Sequence, residues 1–380
     1  MTGDYRTFHA PGRVNIIGEH IDYNGGYVLP CATTMGTTAK IRQRDDKIAR
    51  FTSENFATMV EIPLEKIAYN PDHDWANYPM GIVHTMQQDG FKLGGFEVNF
   101  AGNIPNGAGL SSSASIELVM AVALNAVFNL NYDMQTLVKL AQKSENNFCG
   151  VNCGIMDMFA VGMCKKDFAI LLNCETLDHK HVPLNLSNHK IIIMDTKKRR
   201  QLNESKYNER RAECEQALKI LRETQELNHL ADLTPKAYAA KQHLLTNEKI
   251  RNRAKHVIEE NHRVKQAVTA LEAGDIATLG ELLTQSHTSL RNDYEVSCHE
   301  LDTIVNYALN HPACKGARMT GAGFGGCAIA LVEEIAIPQF IEEVSTSYEK
   351  STSLTPAMHI CESGDGAREI SLNFAIDAKK

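Results

Sequence analysis

The segment Pro105-Asn106-Gly107-Ala108-Gly109-Leu110-Ser111-Ser112-Ser113 constrains this chain most, because it lies between an apolar strand and a long apolar helix. Gly95 to Phe100 reads as the strand and runs into the turn Gly102-Asn103-Ile104-Pro105, while Ala114 to Phe128 reads as the helix. Strand, G-x-G turn and helix in succession bring unpaired N–H groups and the positive end of a helix dipole to one point. Glycine lets the backbone approach an anion closely and take positive φ. The serine hydroxyls can bond phosphate oxygens or reach a magnesium ion. A helix N-cap behind a tight turn is the simpler reading, yet a cap needs one serine rather than three behind a G-x-G. The segment therefore reads as a phosphate loop. It is not a Walker A loop, and the H-R-D and D-F-G elements of protein kinases are absent.

The remaining sequence supports an α+β chain in two lobes. Ala39–Ile41 and Ile48–Phe51 look like half-exposed strands, Phe168–Leu172 and Lys190–Met194 like compact apolar ones, and Met134 to about Asn147 like a second helix. From Ser205 to about Asn310 the chain becomes charged and amphipathic, with Ala217, Leu218 and Leu221 at helical spacing. Gly316–Thr320, Cys327–Val332 and Met358–Cys361 return to strand character, with a helix between the last two. The soft boundary falls near 175–200, giving lobes of 1–185 and 186–380. With 380 residues, two domains are the ordinary expectation. The connection is not rich in Pro or Gly, so the lobes are expected to share an interface.

Two further segments carry chemistry. Arg13 precedes a crowded stretch, Gly18-Glu19-His20-Ile21-Asp22-Tyr23-Asn24-Gly25-Gly26. Such a density of hydrogen-bonding groups suits a hydroxyl-rich ligand, with Arg13 able to neutralise an anion. For Asp22 to Gly25 alone, a polar turn bonding its own backbone is an equal reading. Met319-Thr320-Gly321-Ala322-Gly323-Phe324-Gly325-Gly326-Cys327 is equally a hairpin loop when taken alone.

A formal charge of −7 argues against a nucleic-acid surface, and Lys197-Lys198-Arg199-Arg200 reads as an isolated solvated loop. The ten cysteines contain no C-x-x-C pair, and Cys149 with Cys153 lacks a partner pair at zinc spacing, so free thiols in a reducing cytosol are expected. Met1 to Arg13 lacks a signal-peptide core and no apolar run has the length of a membrane span. A cytoplasmic protein without a nucleic-acid or membrane partner is expected.

Together, these segments resemble the GHMP small-molecule kinases, and Gly12 to Gly26 narrows the resemblance to the galactokinase family. Pro105 to Ser115 looks like the family's ATP motif and Met319 to Gly326 like its C-terminal glycine loop. Trp75-Ala76-Asn77-Tyr78, Gly154-Ile155-Met156-Asp157 and Glu204 to Arg210 agree, so the resemblance spans nearly the whole chain. It implies an N-terminal lobe like ribosomal protein S5 domain 2, a ferredoxin-like C-terminal lobe and a site in the cleft between them. The implied reaction is transfer of a phosphoryl group from ATP to the anomeric hydroxyl of D-galactose, the first committed step of galactose catabolism.

The resemblance assigns Asp157 as catalytic base, and Arg13 as the group that stabilises the transition state and keeps Asp157 ionised. It assigns Ser113 and Glu145 as Mg²⁺ ligands. Gly107, Ala108, Gly109, Leu110, Ser111, Ser112 and Ser113 form the implied triphosphate loop. Glu19, His20, Asp22 and Tyr207 are implied sugar contacts, with Ser53 and Trp75 at the adenosine end. Taken as residues alone, a helix N-terminal carboxylate is the lesser reading of Asp157, while Glu145 reads first as a solvated helix face. The chemistry is consistent with the implied roles, since phosphoryl transfer depends on positioning and charge neutralisation, and oxygen ligands suit Mg²⁺.

Three departures stand out. Met158 replaces a usual Gln and Ile21 a usual Thr, either of which would retune the sugar pocket. The chain also begins closer to its first motif than is usual, which would alter lobe packing. A monomer is expected. The competing readings are a kinase for a related sugar such as N-acetylgalactosamine and a non-catalytic sugar and ATP sensor.

Overall fold

The computed structural model describes residues 4–105, 107–198 and 203–371. The first half runs β1 (Arg6–Asn15), β2 (Tyr27–Val28), β3 (Pro30–Gln43), β4 (Ile48–Ser53), β5 (Val60–Pro63), α1 (Asn77–Gln88) and β6 (Phe96–Gly102). It continues through α2 (Ser112–Val127), α3 (Met134–Ser144), a π-turn at Glu145–Cys149, α4 (Met156–Met163), β7 (Phe168–Asn173) and β8 (His179–Pro183). The second half opens with β9 (His189–Asp195), α5 (Asn203–Arg222), α6 (Pro235–Lys241), α7 (Glu248–Ala273), α8 (Ile276–Asn292) and α9 (His299–Asn310). It ends with β10 (Cys314–Met319), β11 (Cys327–Glu333), α10 (Ile337–Thr352), β12 (Ala357–Cys361) and β13 (Arg368–Ile370).

The strands form a six-stranded sheet in the order β13-β1-β3-β6-β4-β5, a four-stranded sheet β10-β11-β9-β12 and a three-stranded sheet β2-β7-β8. β4 and β6 run parallel, and the other pairings are antiparallel. Each strand read from the sequence is present, most within a few residues of the expected ends, but β3 starts at Pro30, nine residues before Ala39. β13 returns from the end of the chain to the edge of the first sheet. β2, β5, β8 and β13 have no counterpart in the sequence reading, and neither does β1. Pro11 and Gly12 interrupt its pattern, and its register on β3 shifts between Pro11 and Arg13.

α2 is buried along nearly its whole length, from Ala114 to Val127, and packs on β1 and β3 with α1, α3 and α4 around it. This fixes the helix whose first turn carries Ser112 and Ser113. α7 is capped by the Asn247 side chain and stopped by Gly274 at φ 69°. It runs behind the sugar signature, touching β2 and β8 of the first half as well as α5 and α8. The expected interface between the halves is therefore polar as well as apolar: His256 Nε2 lies 3.1 Å from Glu19 O, Gly18 N donates to Glu260 (3.0 Å), and Tyr27 N donates to Asn261 (2.8 Å). Arg199 and Arg200 of the basic run lie outside the described residues. Lys197 pairs with Asp195 and Lys198 with Glu300, each at 2.7 Å. Among the described residues, no helix is long and apolar enough to cross a membrane.

Candidate active site

Arg13 is brought in by β1. A Cβ on the preceding Gly12 would stand 2.7 Å from Leu110 O, so glycine lets the strand touch the phosphate loop, and Arg13 N donates to Leu110 O (3.1 Å). The Arg13 guanidinium is buried and grips Asp157 with two nitrogens, Nε to Oδ1 at 2.8 Å and Nη2 to Oδ2 at 2.9 Å. Its third nitrogen donates to Gly109 O (2.6 Å). A rigid fork of this kind sets the orientation of the carboxylate. Ser111 Oγ also donates to Asp157 Oδ2 (2.6 Å). Asp157 lies in the first turn of α4 with its side chain 30% exposed, enough to open into the adjoining cavity.

That cavity, about 240 Å³, is lined by Arg13 and Asp157 together with Glu19, His20, Asp22 and Tyr207. Glu19 is buried and closes the cavity from below. Its carboxylate accepts from Asn15 (2.9 Å), Thr320 Oγ1 (2.9 Å) and Gly321 N (2.7 Å), and Arg318 stands 3.2 Å away. The C-terminal glycine loop is thus fastened to the N-terminal signature. It is the β10–β11 hairpin loop and a cavity wall at once. Asp22 begins a short 3-10 turn and lies over Gly154, where any Cβ would collide with its carboxylate. Burial, then the charge of Asp157, raises the Asp22 carboxyl to about 7. Tyr207, from α5, packs its ring 5.5 Å from His20, and burial raises its hydroxyl well above the usual range.

A second cavity, about 550 Å³, holds Ser53, Trp75, Ser112 and Ser113. Trp75 stacks on Phe56 at 6.1 Å, forming a flat apolar slot. The phosphate loop turns left-handed at Gly107 (φ 73°), Gly109 (φ 75°) and Ser111 (φ 61°). Ala108 and Leu110 point into the core, so only their backbone faces outward. Ser113 lines both cavities and hydrogen-bonds Glu145, which is buried on the π-turn and also accepts from Cys153 Sγ (3.2 Å). Burial raises the Glu145 carboxyl, with the charge of Asp157 adding to it, as expected of a carboxylate that has no ion-pair partner among the described residues. A hydroxyl and an uncompensated carboxylate at the junction of the cavities fit a hard divalent cation that keeps phosphates and waters as its other ligands.

Comparison with known proteins accords with this geometry. The description "GHMP kinases N terminal domain" matches residues 77–165, "GHMP kinases C terminal" matches 267–350, and "Galactokinase galactose-binding signature" matches 2–43. A galactokinase of Clostridium tetani is 50% identical over 97% of this chain and 94% of its own length. The chain belongs to the galactokinase family. A Bacillus subtilis galactokinase is 48% identical over 96% of this chain and 94% of its own. The crystal structure of Lactococcus lactis galactokinase complexed with galactose matches with a TM-score of 0.94 and 42% identity, covering 96% of this chain and 95% of that one. Methanococcus jannaschii mevalonate kinase, at 19% identity and a TM-score of 0.69, shares the fold. The architecture is the two-lobed GHMP kinase fold expected from the sequence.

The structure gathers most of the sequence-derived residues into two groups, with Ser112 in the second, while Gly107, Ala108, Gly109, Leu110 and Ser111 line neither cavity. Arg13, Glu19, His20, Asp22, Glu145, Asp157 and Tyr207 line the first cavity, Ser53 and Trp75 the second, and Ser113 joins them. Met158 and Ile21, expected to retune the sugar pocket, are both fully buried and line neither cavity; Ile21 packs against Gly26. Sequence reasoning missed the link from Ser111 to Asp157, the Cys153 thiol on Glu145, and the polar face of α7. The run of histidine, glutamate and asparagine at 256, 260 and 261, spaced to share one helix face, was the available signal.

Proposed function

We propose that this galactokinase-family chain transfers the terminal phosphoryl group of ATP to the anomeric hydroxyl of D-galactose, with Asp157 as base. The observation that carries the reading is Asp157, clamped by Arg13, opening into a polar cavity that shares Ser113 with an aromatic slot. Galactose occupies the first cavity through Glu19, His20, Asp22 and Tyr207; ATP occupies the second, its base near Trp75 and Ser53. Gly107 to Ser113 and the start of α2 meet the triphosphate with backbone N–H groups, Ser112 and Ser113. Ser113 and Glu145 would hold Mg²⁺, which would neutralise phosphate charge when bound. Asp157 accepts the hydroxyl proton as the sugar oxygen attacks, and Arg13 holds the carboxylate in line. Arg13 also places positive charge beside the transferring group, where negative charge develops.

The lobes divide at 185/186, with β13 returning to the first. The chain works as a cytoplasmic monomer; ten free thiols support the cytoplasmic part of this reading. Steady-state assays with ATP and Mg²⁺ test the substrate. Galactose is expected to be turned over, with N-acetylgalactosamine lower in kcat/KM by at least about tenfold, the effect of a misfit substituent in a closed polar pocket. No turnover of galactose overturns the proposal; turnover of N-acetylgalactosamine alone points to the related sugar kinase.

A further inference from the structure

One wall of the first cavity carries hydrogen bonds whose direction can be read. His20 Nε2 stands 3.1 Å from Ala322 O, which only accepts, so this nitrogen carries hydrogen and donates. In the neutral ring Nδ1 is then an acceptor, and the Tyr23 hydroxyl, 2.8 Å away, donates to it. Tyr23 has no second hydrogen, so the Tyr294 hydroxyl, 2.8 Å away, donates to Tyr23. Cys214 Sγ lies 3.1 Å from the Tyr294 oxygen and donates in turn. Burial pushes the Cys214 thiol up to about 12, so it keeps its hydrogen. The chain therefore runs Cys214, Tyr294, Tyr23, His20, Ala322, from the helical layer into the cavity.

Tyr294 is fully buried and does not line the cavity, yet it is firmly placed. Arg210 donates to Tyr294 O (2.8 Å) and Glu295 O (3.1 Å), and the buried Arg253 donates to Asp293 O (2.5 Å). The next residue, Val296, accepts from Phe324 N through its carbonyl (2.7 Å), and a Cβ on Gly323 would collide with that same oxygen. One segment thus fixes both ends of the chain: the hydroxyl that reaches Tyr23 and the loop that presents Ala322.

We propose that Tyr294 is a positioning residue for sugar binding, holding the Tyr23 hydroxyl and through it the orientation of His20. The inference rests on the reading of the Asp157 cavity as the sugar site. Tyr294→Phe keeps the ring and breaks the chain. The expected result is a KM for galactose about five- to tenfold higher, with kcat and the KM for ATP within about twofold of wild type. ¹⁵N NMR of histidine-labelled protein, with His20 assigned by the loss of its signal in His20→Gln, is expected to show hydrogen on Nε2 in both proteins, with the Nδ1 resonance shifted in Tyr294→Phe as the Tyr23 hydroxyl loses its donor. An unchanged KM for galactose, or equal rises in the KM for both substrates, overturns the proposal. If Tyr294→Phe does not fold, Cys214→Ala and Cys214→Ser decide: about a twofold rise in the alanine variant restored by serine supports it, and no difference between them overturns it. A wild-type protein inactive on galactose condemns the underlying reading instead; active wild type with indifferent variants condemns only this one.

Discussion

At the scale of single residues the site turns on two carboxylates in different surroundings. Asp157 is gripped by Arg13 through two nitrogens, which a lysine cannot reproduce, because its one ammonium is a point charge without the fork. Arg13→Lys is expected to lower kcat by about 10²-fold with little change in the KM for galactose, as steady-state kinetics will show. Asp22 has no such partner, and its carboxyl rises from 3.8 to about 7. The folded state therefore binds a proton that the unfolded state has already released between about pH 4 and 7. The contribution of Asp22 to stability is greatest below that range and declines as pH rises through it. Asp22→Asn removes this penalty. Its melting temperature relative to wild type is expected to be higher at pH 8 than at pH 5, while its KM for galactose rises.

At the scale of elements, α7 is the support that the sugar signature leans on. Burial alone would raise the Glu260 carboxyl, but the charges of Arg263, His256 and Arg318 outweigh it and bring it down to about 2. A depressed carboxyl stabilises the fold above its unfolded value, and that stability is lost as pH falls from about 4.5 towards 2. Glu260→Ala would strand Arg263 and the Gly18 N–H. Urea denaturation at pH 7 is expected to register a loss of about 3–5 kcal/mol, the cost of breaking a buried ion pair. The same element marks the limit of what sequence discloses. The phosphate loop was legible because glycine and serine act locally, through φ and helix capping. The α7 side chains were not, because their partners in the first half lie more than two hundred residues away. β1 was hidden for a related reason: Pro11 and Gly12 read as breakers, while the pairing that overrides them comes from β3 and β13. Met158 and Ile21 drew attention because they replace residues usual in the family, and each turns its side chain into the core.

At the scale of the molecule, the two halves are joined at the site itself. Glu19 holds the C-terminal glycine loop, His20 reaches Ala322, and Ser113 stands where the two cavities meet. A sugar and a nucleotide bound in those cavities would therefore face each other across Asp157 and Arg13. On the proposed function, this junction directs a phosphoryl group to the anomeric oxygen with Asp157 as base. The direct measurement is ³¹P NMR of the product formed from galactose, ATP and Mg²⁺, with wild type and Asp157→Ala compared. The account expects a single phosphate coupled to the anomeric proton, formed by the variant at a rate lower by about 10²- to 10⁴-fold. Phosphate on another hydroxyl, or an Asp157→Ala variant as fast as wild type, would contradict it.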